Sequence, residues 1–135
     1  MFPHGYEEID HTADLALKVW GEDFHALLKQ AARGLYDLLG VTIDPDNVGK
    51  HEFTIDAGQE ETLLVDFLSE VLYLAEDEKL FFEDFTIVET PTGMLISGTC
   101  QVILSLAREI KAVTFHDLSV KRTKGGLETI LTFDV

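Results

Sequence analysis

Two segments of the chain repeat their apolar residues with the period of an α-helix, and this repeat limits the possible folds most strongly. The first segment starts after Asp23, a residue type that commonly caps a helix, and reaches Gly40, a residue type that commonly ends one. The second runs from about Glu60 to Asp77. In both, apolar side chains recur at i, i+3, i+4 and i+7. The pattern predicts two amphipathic helices, each with one face in a core.

The rest of the chain alternates apolar and polar residues, which is typical of β-strands. Strands are expected before the first helix, between the two helices, and one after another from Leu80 to Val135. Turns are expected at 44–47, at 90–93, near Arg108 and at Gly125-Gly126. The sequence therefore predicts one α+β domain over residues 1–135. Its two helices pack on a mostly antiparallel sheet of about seven strands.

The composition is that of a soluble globular protein, with 46% hydrophobic and 26% charged residues. No apolar run approaches the roughly 20 residues that span a bilayer, and the N-terminal segment lacks the pattern of a secretory signal. The lone cysteine, Cys100, falls in step with apolar neighbours, so it is expected in the core. These features predict a cytoplasmic protein that does not bind membranes.

The charge balance is strongly acidic, because 10 Lys and Arg face 25 Asp and Glu and the formal net charge is −15. The one basic cluster, 121–124, directly precedes two glycines and fits a solvated hairpin turn. A field of this sign repels nucleic acid. Autonomous nucleic-acid binding is therefore not expected, whereas basic protein partners or hard cations are.

Titratable side chains crowd the segment between the first two predicted strands, where Asp10, His11 and Asp14 fall within five positions. Aspartates cap backbone amides, so a plain turn explains Asp10 and Asp14 on local grounds. A catalytic dyad and part of a metal site completed elsewhere are the other interpretations. The segment alone does not decide among them.

The C-terminal strand supplies two further carboxylates. Positions 127, 129, 131 and 133 share an apolar face, so Asp134 projects from the opposite face, and the free carboxylate of Val135 follows it. If Asp14 meets this pair, three hard oxygen donors converge, and such a set suits Ca²⁺ or Mg²⁺ rather than zinc or copper. Phosphate-binding glycine loops, nucleophilic serine turns and zinc-ligand spacing are absent from the sequence.

Four stretches taken in order resemble the archease family. They are the Asp10–Asp14 segment, LLVDFLSEVLYL (63–74), EIKAVTFHDLSV (109–120) and the terminal FDV (133–135). Together they extend over nearly the whole chain. The departures are a phenylalanine at 67 where the family usually has tryptophan, one at 115 where tyrosine is usual, and a short segment before Glu109.

The resemblance implies an accessory protein of RNA repair that is not itself an enzyme. Archeases serve the RtcB-type tRNA-splicing ligase, which joins RNA ends with GTP and a divalent metal. They promote formation of the guanylylated histidine intermediate of the ligase and allow repeated turnover. The expected partner is thus an RtcB-type ligase, and the expected cofactor is a divalent cation.

The resemblance also implies site residues. The metal site of the family maps onto Asp14, Asp134 and Val135, and Lys111 corresponds to a position that the family needs. Asp10 and His11 then shape the loop or support the ligands, although His11 also fits a hydrogen-bonded structural histidine. Lys111 also fits an ordinary surface lysine that shares a strand face with Val113 and Phe115. The remaining partner-facing candidate, His116, is expected on the opposite face of that strand.

Two other functions compete with the ligase activator. One is a chaperone-like protein-binding module in which the cation is structural. The other is a carboxylate-metal hydrolase that uses His11 or His116 as a base, although the sequence shows no recognisable nucleophile arrangement.

Overall fold

The computed structural model describes residues 3–9 and 15–135, and within these ranges the chain folds into two helices and nine strands. In chain order the elements are β1 (Gly5–Ile9), β2 (Leu15–Gly21), α1 (Phe24–Leu39), β3 (Val41–Asp56), α2 (Glu60–Glu76), β4 (Leu80–Phe82), β5 (Thr86–Thr90), β6 (Gly93–Leu106), β7 (Ala112–Thr114), β8 (Lys121–Thr123) and β9 (Gly126–Asp134). The predicted α+β class is confirmed. Neither helix is long and apolar enough to cross a membrane.

Helix α1 begins and ends where the sequence predicts. The Asp23 carboxylate accepts a hydrogen bond from the Ala26 N–H at 2.8 Å and so satisfies one free amide of the first turn. Gly40 ends the helix in the left-handed conformation, with φ at 62°, and its N–H donates to the Tyr36 and Asp37 carbonyls. A side chain at residue 40 would be strained there, so glycine is required.

Helix α2 has its acidic residues at the positive end of the helix dipole. Glu60 and Glu61 occupy the first turn, and Gln59 precedes it without a side-chain cap. The apolar face is buried against the sheets, with Phe67 and Leu68 fully enclosed. The predicted helix of 60–77 is thus confirmed to within one residue.

Sheet A, as we call the five-stranded sheet, has the order β1-β2-β9-β7, and β8 also pairs with β9. All its pairs are antiparallel, and the β2–β9 ladder extends from Leu15 opposite Phe133 to Gly21 opposite Leu127. Strands β7 and β8 pair with opposite ends of β9. Sheet A thus collects the two ends of the described chain.

Sheet B, the four-stranded sheet, has the order β3-β6-β4, and β5 also pairs with β6. The expected turn at 44–47 is instead an irregularity inside β3, where the pairing register shifts between Asp44 and Val48. Pairing with β6 continues on both sides of the shift, so the chain does not reverse there. The sequence predicted about seven strands in one sheet, whereas the described chain has nine in two.

The helices join the two sheets through a shared core. Helix α1 packs on β1, β2 and β9, while α2 packs on β3, β4 and β7, and the helices contact each other. Cys100 is 3% exposed, which confirms its predicted place in the core. The alternation then changes phase, because Ile103 is buried and Leu104 is exposed. This shift falls where β6 faces the irregular part of β3.

Candidate functional site

One end of sheet A brings together two residues predicted for the site, Lys111 and Asp134. The backbone N–H of Lys111 donates to the Asp134 carbonyl at 2.8 Å, immediately before β7 begins. The next residue, Ala112, lies opposite Asp134 in the β7–β9 ladder. Residues 23 positions apart in sequence are therefore neighbours at the C-terminal end of β9. We call this end of the sheet the Lys111–Asp134 corner.

Buried neighbours fix the backbone of the Lys111–Asp134 corner while its charged side chains face solvent. Ile110 and Phe133, which precede Lys111 and Asp134, are both fully buried, and Val113 is 8% exposed. Lys111 and Asp134 are themselves exposed. Charged groups on rigidly held backbone are well suited to contact a partner or a ligand, because little conformational entropy is lost in placing them.

The alternation of β9 is confirmed only in part, because Thr132, which alternation places on the outer face with Asp134, is 4% exposed. Leu127, Thr129, Leu131 and Phe133 are buried on the core side, and Asp134 projects to the other side. Val135 follows it and is 45% exposed. The sequence therefore placed the Asp134 carboxylate correctly on the outer face of sheet A.

Three of the predicted site residues, Asp10, His11 and Asp14, lie outside the described residues. The described ladder between β2 and β9 ends at the pair of Leu15 with Phe133. Leu15 follows Asp14 in sequence, and Phe133 precedes Asp134.

Strand β7 is shorter than the sequence suggested, and this changes the position of His116. The strand ends at Thr114, and the His116 N–H donates to the Thr114 hydroxyl at 3.3 Å. The next residue, Asp117, has a positive φ of 52°. His116 therefore lies in a turn, with its Nε2 3.2 Å from an Asp117 carboxylate oxygen, and not on a strand face. The expected alignment of Phe115 along the same strand fails for the same reason, and Phe115 is exposed.

The first turn of α2 holds the segment that follows β7. The Val120 N–H donates to the Glu61 carboxylate at 2.9 Å, and this bond lowers the pKa of Glu61. Next to it, the Arg122 guanidinium donates to both Glu60 oxygens at 3.0 and 3.2 Å. These contacts fasten the chain between β7 and β8 to the helix, and so support the strand that carries the Lys111–Asp134 corner.

At the other edge of sheet A, a side-chain contact holds β1 on α1. The Tyr6 hydroxyl donates to the Asp37 carboxylate, and burial together with this neighbour raises the pKa of Tyr6 to about 12. Strand β1 is thereby fixed immediately before the segment 10–14.

A metal ion at the Lys111–Asp134 corner needs more oxygen donors than Asp134 alone. Within residues 3–9 and 15–135, no three His, Cys, Asp or Glu side chains lie close enough together to hold a cation. Asp134 with the oxygens of Val135 gives hard, exposed donors of the kind that Ca²⁺ and Mg²⁺ accept. The residues present thus fit a hard cation, provided that a further carboxylate joins them.

Two sizeable clefts among the described residues lie away from the Lys111–Asp134 corner, and the sequence did not single them out. A cleft of about 840 Å³ on sheet B is lined by Lys50, His51, Glu52, Glu83, Asp84, Thr86, Ser97, Gly98 and Thr99. A second, of about 800 Å³, lies on the outer face of sheet A around Trp20. The sequence feature that could have indicated the second cleft is Trp20, because strand alternation places this large aromatic residue on the solvent side of β2, two positions after Lys18.

Nearly the whole chain matches the model of a protein family. Residues 6–135 match the model of the Archease protein family (MTH1598/TM1083). The chain belongs to the archease family.

Relatives support this assignment over nearly their full length. The protein archease of Methanopyrus kandleri is 32% identical over 130 residues, which include 89% of this chain and 91% of the relative. The protein archease of Archaeoglobus fulgidus is 31% identical over 138 residues, with 96% and 98% of the two chains covered. That of Methanosarcina barkeri is 29% identical over 140 residues, with 96% and 95% covered.

Solved structures share the fold. The solution structure of Methanobacterium thermoautotrophicum protein 1598 superposes with a TM-score of 0.71 at 24% identity, and covers 97% of this chain and 99% of its own. The crystal structure of TM1083 from Thermotoga maritima, described as an archease and possible chaperone, also gives a TM-score of 0.71. It is 25% identical and covers 96% of each chain.

Proposed function

We propose that this archease activates an RtcB-type RNA ligase, promoting guanylylation of the ligase and its repeated turnover in tRNA splicing or RNA repair. Membership of the archease family gives the context. The observation that carries the proposal is the Lys111–Asp134 corner, where a backbone hydrogen bond places two exposed residues of opposite charge next to each other, beside fully buried neighbours. Both belong to the stretches on which the family resemblance rests.

In this proposal Asp14, Asp134 and the oxygens of Val135 bind a divalent cation, Ca²⁺ or Mg²⁺. When bound, the cation would supply positive charge next to phosphate or carboxylate oxygens of the partner. Asp10 and His11 support these ligands, and His116, in its turn with Asp117, is a peripheral contact.

Lys111 acts on the partner in this mechanism. Its ammonium is a point charge that can approach a phosphate oxygen or carboxylate in the docked ligase and stabilise negative charge that develops during nucleotidyl transfer. Because the Lys111 backbone N–H is bonded to the Asp134 carbonyl, the two side chains leave adjacent points of the backbone.

The test adds substoichiometric archease to a cognate RtcB-type ligase with GTP and divalent metal, and scores ligase guanylylation and the number of RNA ends joined per ligase molecule. The proposal predicts faster guanylylation and several turnovers, both lost in Asp14→Ala. An Asp14→Ala protein that activates fully at limiting metal would remove Asp14 from the site, and wild type without effect would refute the function.

A chaperone-like role is the second candidate, because the related TM1083 is described as a possible chaperone. Exposed apolar side chains such as Phe115 and Leu104 would serve as contacts for client proteins. Suppressed aggregation of unrelated proteins, with no effect on the ligase, would favour this alternative.

A further inference from the structure

We propose that the outer face of sheet A, at the end opposite the Lys111–Asp134 corner, binds a nucleoside phosphate, with the base against Trp20 and the phosphates on Lys18 and Lys124. This site is separate from the proposed metal site and does not depend on the ligase proposal. We call it the Trp20 cleft.

The size and lining of the Trp20 cleft suit a small ligand. Its volume of about 800 Å³ lies within the range of small-molecule sites. Its walls combine an indole, two lysines and two carboxylates, with the β8–β9 turn at one side. The lining residues are Pro3, Glu7, Lys18, Trp20, Gly21, Thr123, Lys124, Gly125, Leu127 and Glu128.

Strand pairing fixes the position of Trp20 in this cleft. Trp20 lies opposite Gly5 in the β1–β2 ladder, and the backbone of Gly5 lies against its six-membered ring. A Cβ at residue 5 would come 2.5 Å from Cζ2 of the indole, so only glycine permits this placement. The indole, which is half-buried, is thus held on the sheet as an aromatic platform of the kind on which bases stack.

Register places Lys18 beside this platform. Lys18 and Trp20 are two residues apart on β2, so their side chains leave the same face about 7 Å apart along the strand. Lys124, in the turn between β8 and β9, lines the same cleft. Lys121 and Lys18 line an adjoining cleft together with Asp117 and Glu128, so a third lysine lies close to the first cleft.

Lys18, Lys121 and Lys124 form a group of basic residues in a chain whose net charge is −15. The ion pairs found among residues 3–9 and 15–135 involve Lys29, Arg33, Arg122 and three histidines, but not Lys18, Lys121 or Lys124. Since these three lysines have no ion-pair partner in the part of the chain that the structure describes, their ammonium groups can bind an anion. The overall field still disfavours a long polyanion, so the ligand that fits is a single nucleotide and not a nucleic-acid chain.

The two carboxylates of the Trp20 cleft favour ligands that carry hydrogen-bond donors. Glu7 lies opposite Lys18, and Glu128 lies opposite both Trp20 and Lys121. Both carboxylates are acceptors only, so they suit the N–H and O–H donors of a base and a ribose rather than another anion. Inorganic phosphate alone lacks these donors and the ring, and should bind more weakly.

Trp20 is the only tryptophan in the chain, so its fluorescence reports on this cleft alone. We would titrate the protein in chelator with GTP, ATP, guanosine, tripolyphosphate and an acidic hexaglutamate peptide, and measure heats of binding in parallel. The proposal predicts saturable quenching by a nucleoside triphosphate, with guanosine and tripolyphosphate each at least about tenfold weaker.

Two double variants distinguish binding at the Trp20 cleft from a nonspecific effect of net charge. Lys18→Ala with Lys124→Ala should raise Kd by at least about tenfold. Lys50→Ala with Arg108→Ala, which changes the net charge equally at exposed positions elsewhere, should leave it within about twofold. Trp20→Leu, followed by calorimetry, should also raise Kd about tenfold, as expected for lost stacking.

Three results would overturn the proposal. The first is no saturable nucleotide binding up to millimolar concentration. The second is that the double-lysine variant and the lysine–arginine control weaken binding equally, and the third is binding of the acidic peptide without binding of nucleotides. The last would identify the Trp20 cleft as a protein-docking surface. Melting curves of each variant confirm that it is folded, and the lysine variants keep the test decisive if Trp20→Leu does not fold.

Discussion

Removing the Lys111 side chain should abolish ligase activation without destabilising the fold. The only polar contact of Lys111 that the described chain contains is its backbone N–H bond to the Asp134 carbonyl, and Lys111→Ala keeps that bond. The side chain is exposed, so its truncation should change the free energy of unfolding by less than about 0.5 kcal/mol.

The neighbouring residue provides the matched control. Ile110 is fully buried, so Ile110→Ala should cost about 2–5 kcal/mol through lost transfer free energy and the cavity left behind. For a chain of this size, 1 kcal/mol corresponds to about 3–5 °C in Tm, so Ile110→Ala should melt about 6–25 °C lower, while Lys111→Ala should melt at the same temperature as wild type.

The assay pairs thermal melting with ligase guanylylation at a temperature where all variants are folded. Lys111→Ala should be stable but inactive, and Ile110→Ala should be unstable but active per folded molecule. A loss of more than about 1.5 kcal/mol in Lys111→Ala would show that the side chain is structural, and the partner-facing role would then be wrong.

Three other outcomes follow from the described contacts and the proposed ligands. Glu61→Gln should lose about 1 kcal/mol of stability at pH 7, because the charged acceptor for the Val120 N–H is gone. The folded pKa of Glu61 lies below its ordinary value, so the stabilisation is present above about pH 4.3 and is lost as pH falls through the folded pKa. Urea melts at pH 7 and pH 3 should show that the stability gap between wild type and Glu61→Gln narrows at the lower pH, and a constant gap would contradict the prediction. Burial raises the pKa of Cys100 to about 11. A thiol reagent at pH 8 should therefore label the native protein far more slowly than the protein in denaturant, and equal labelling rates would contradict the buried position. In a recombinant chain that ends at Val135, calcium or magnesium at a hundredfold excess over Kd should stabilise the fold by about 2.7 kcal/mol, and a short C-terminal extension should reduce that shift; identical shifts would exclude the terminal carboxylate as a ligand.

Local patterns predicted the helices well because their signals are local. The cap at Asp23 and the left-handed Gly40 act within one turn of α1, and both are found where the sequence places them. The buried face of β9 was equally readable, because a period of two needs no knowledge of the partner strand.

Long-range pairing produced the features that local patterns missed. The segment 44–47 has the composition of a turn, yet pairing of β3 with β6 carries the chain through it. The division into two sheets depends on which strands pair, and alternation does not encode this. The same limit applies to the functional site, because the contact of Lys111 with Asp134 joins residues far apart in sequence, and its detection required the fold.

The most direct test of the central claim compares two aspartates in one ligase assay. Asp134 is proposed to bind the cation, whereas Asp117, exposed in a turn and paired only with His116 among the described contacts, is not. Multiple-turnover guanylylation of an RtcB-type ligase should fall to the archease-free rate with Asp134→Asn and stay at the wild-type rate with Asp117→Asn. Full activation by Asp134→Asn, or equal loss in both variants, would contradict the proposed site.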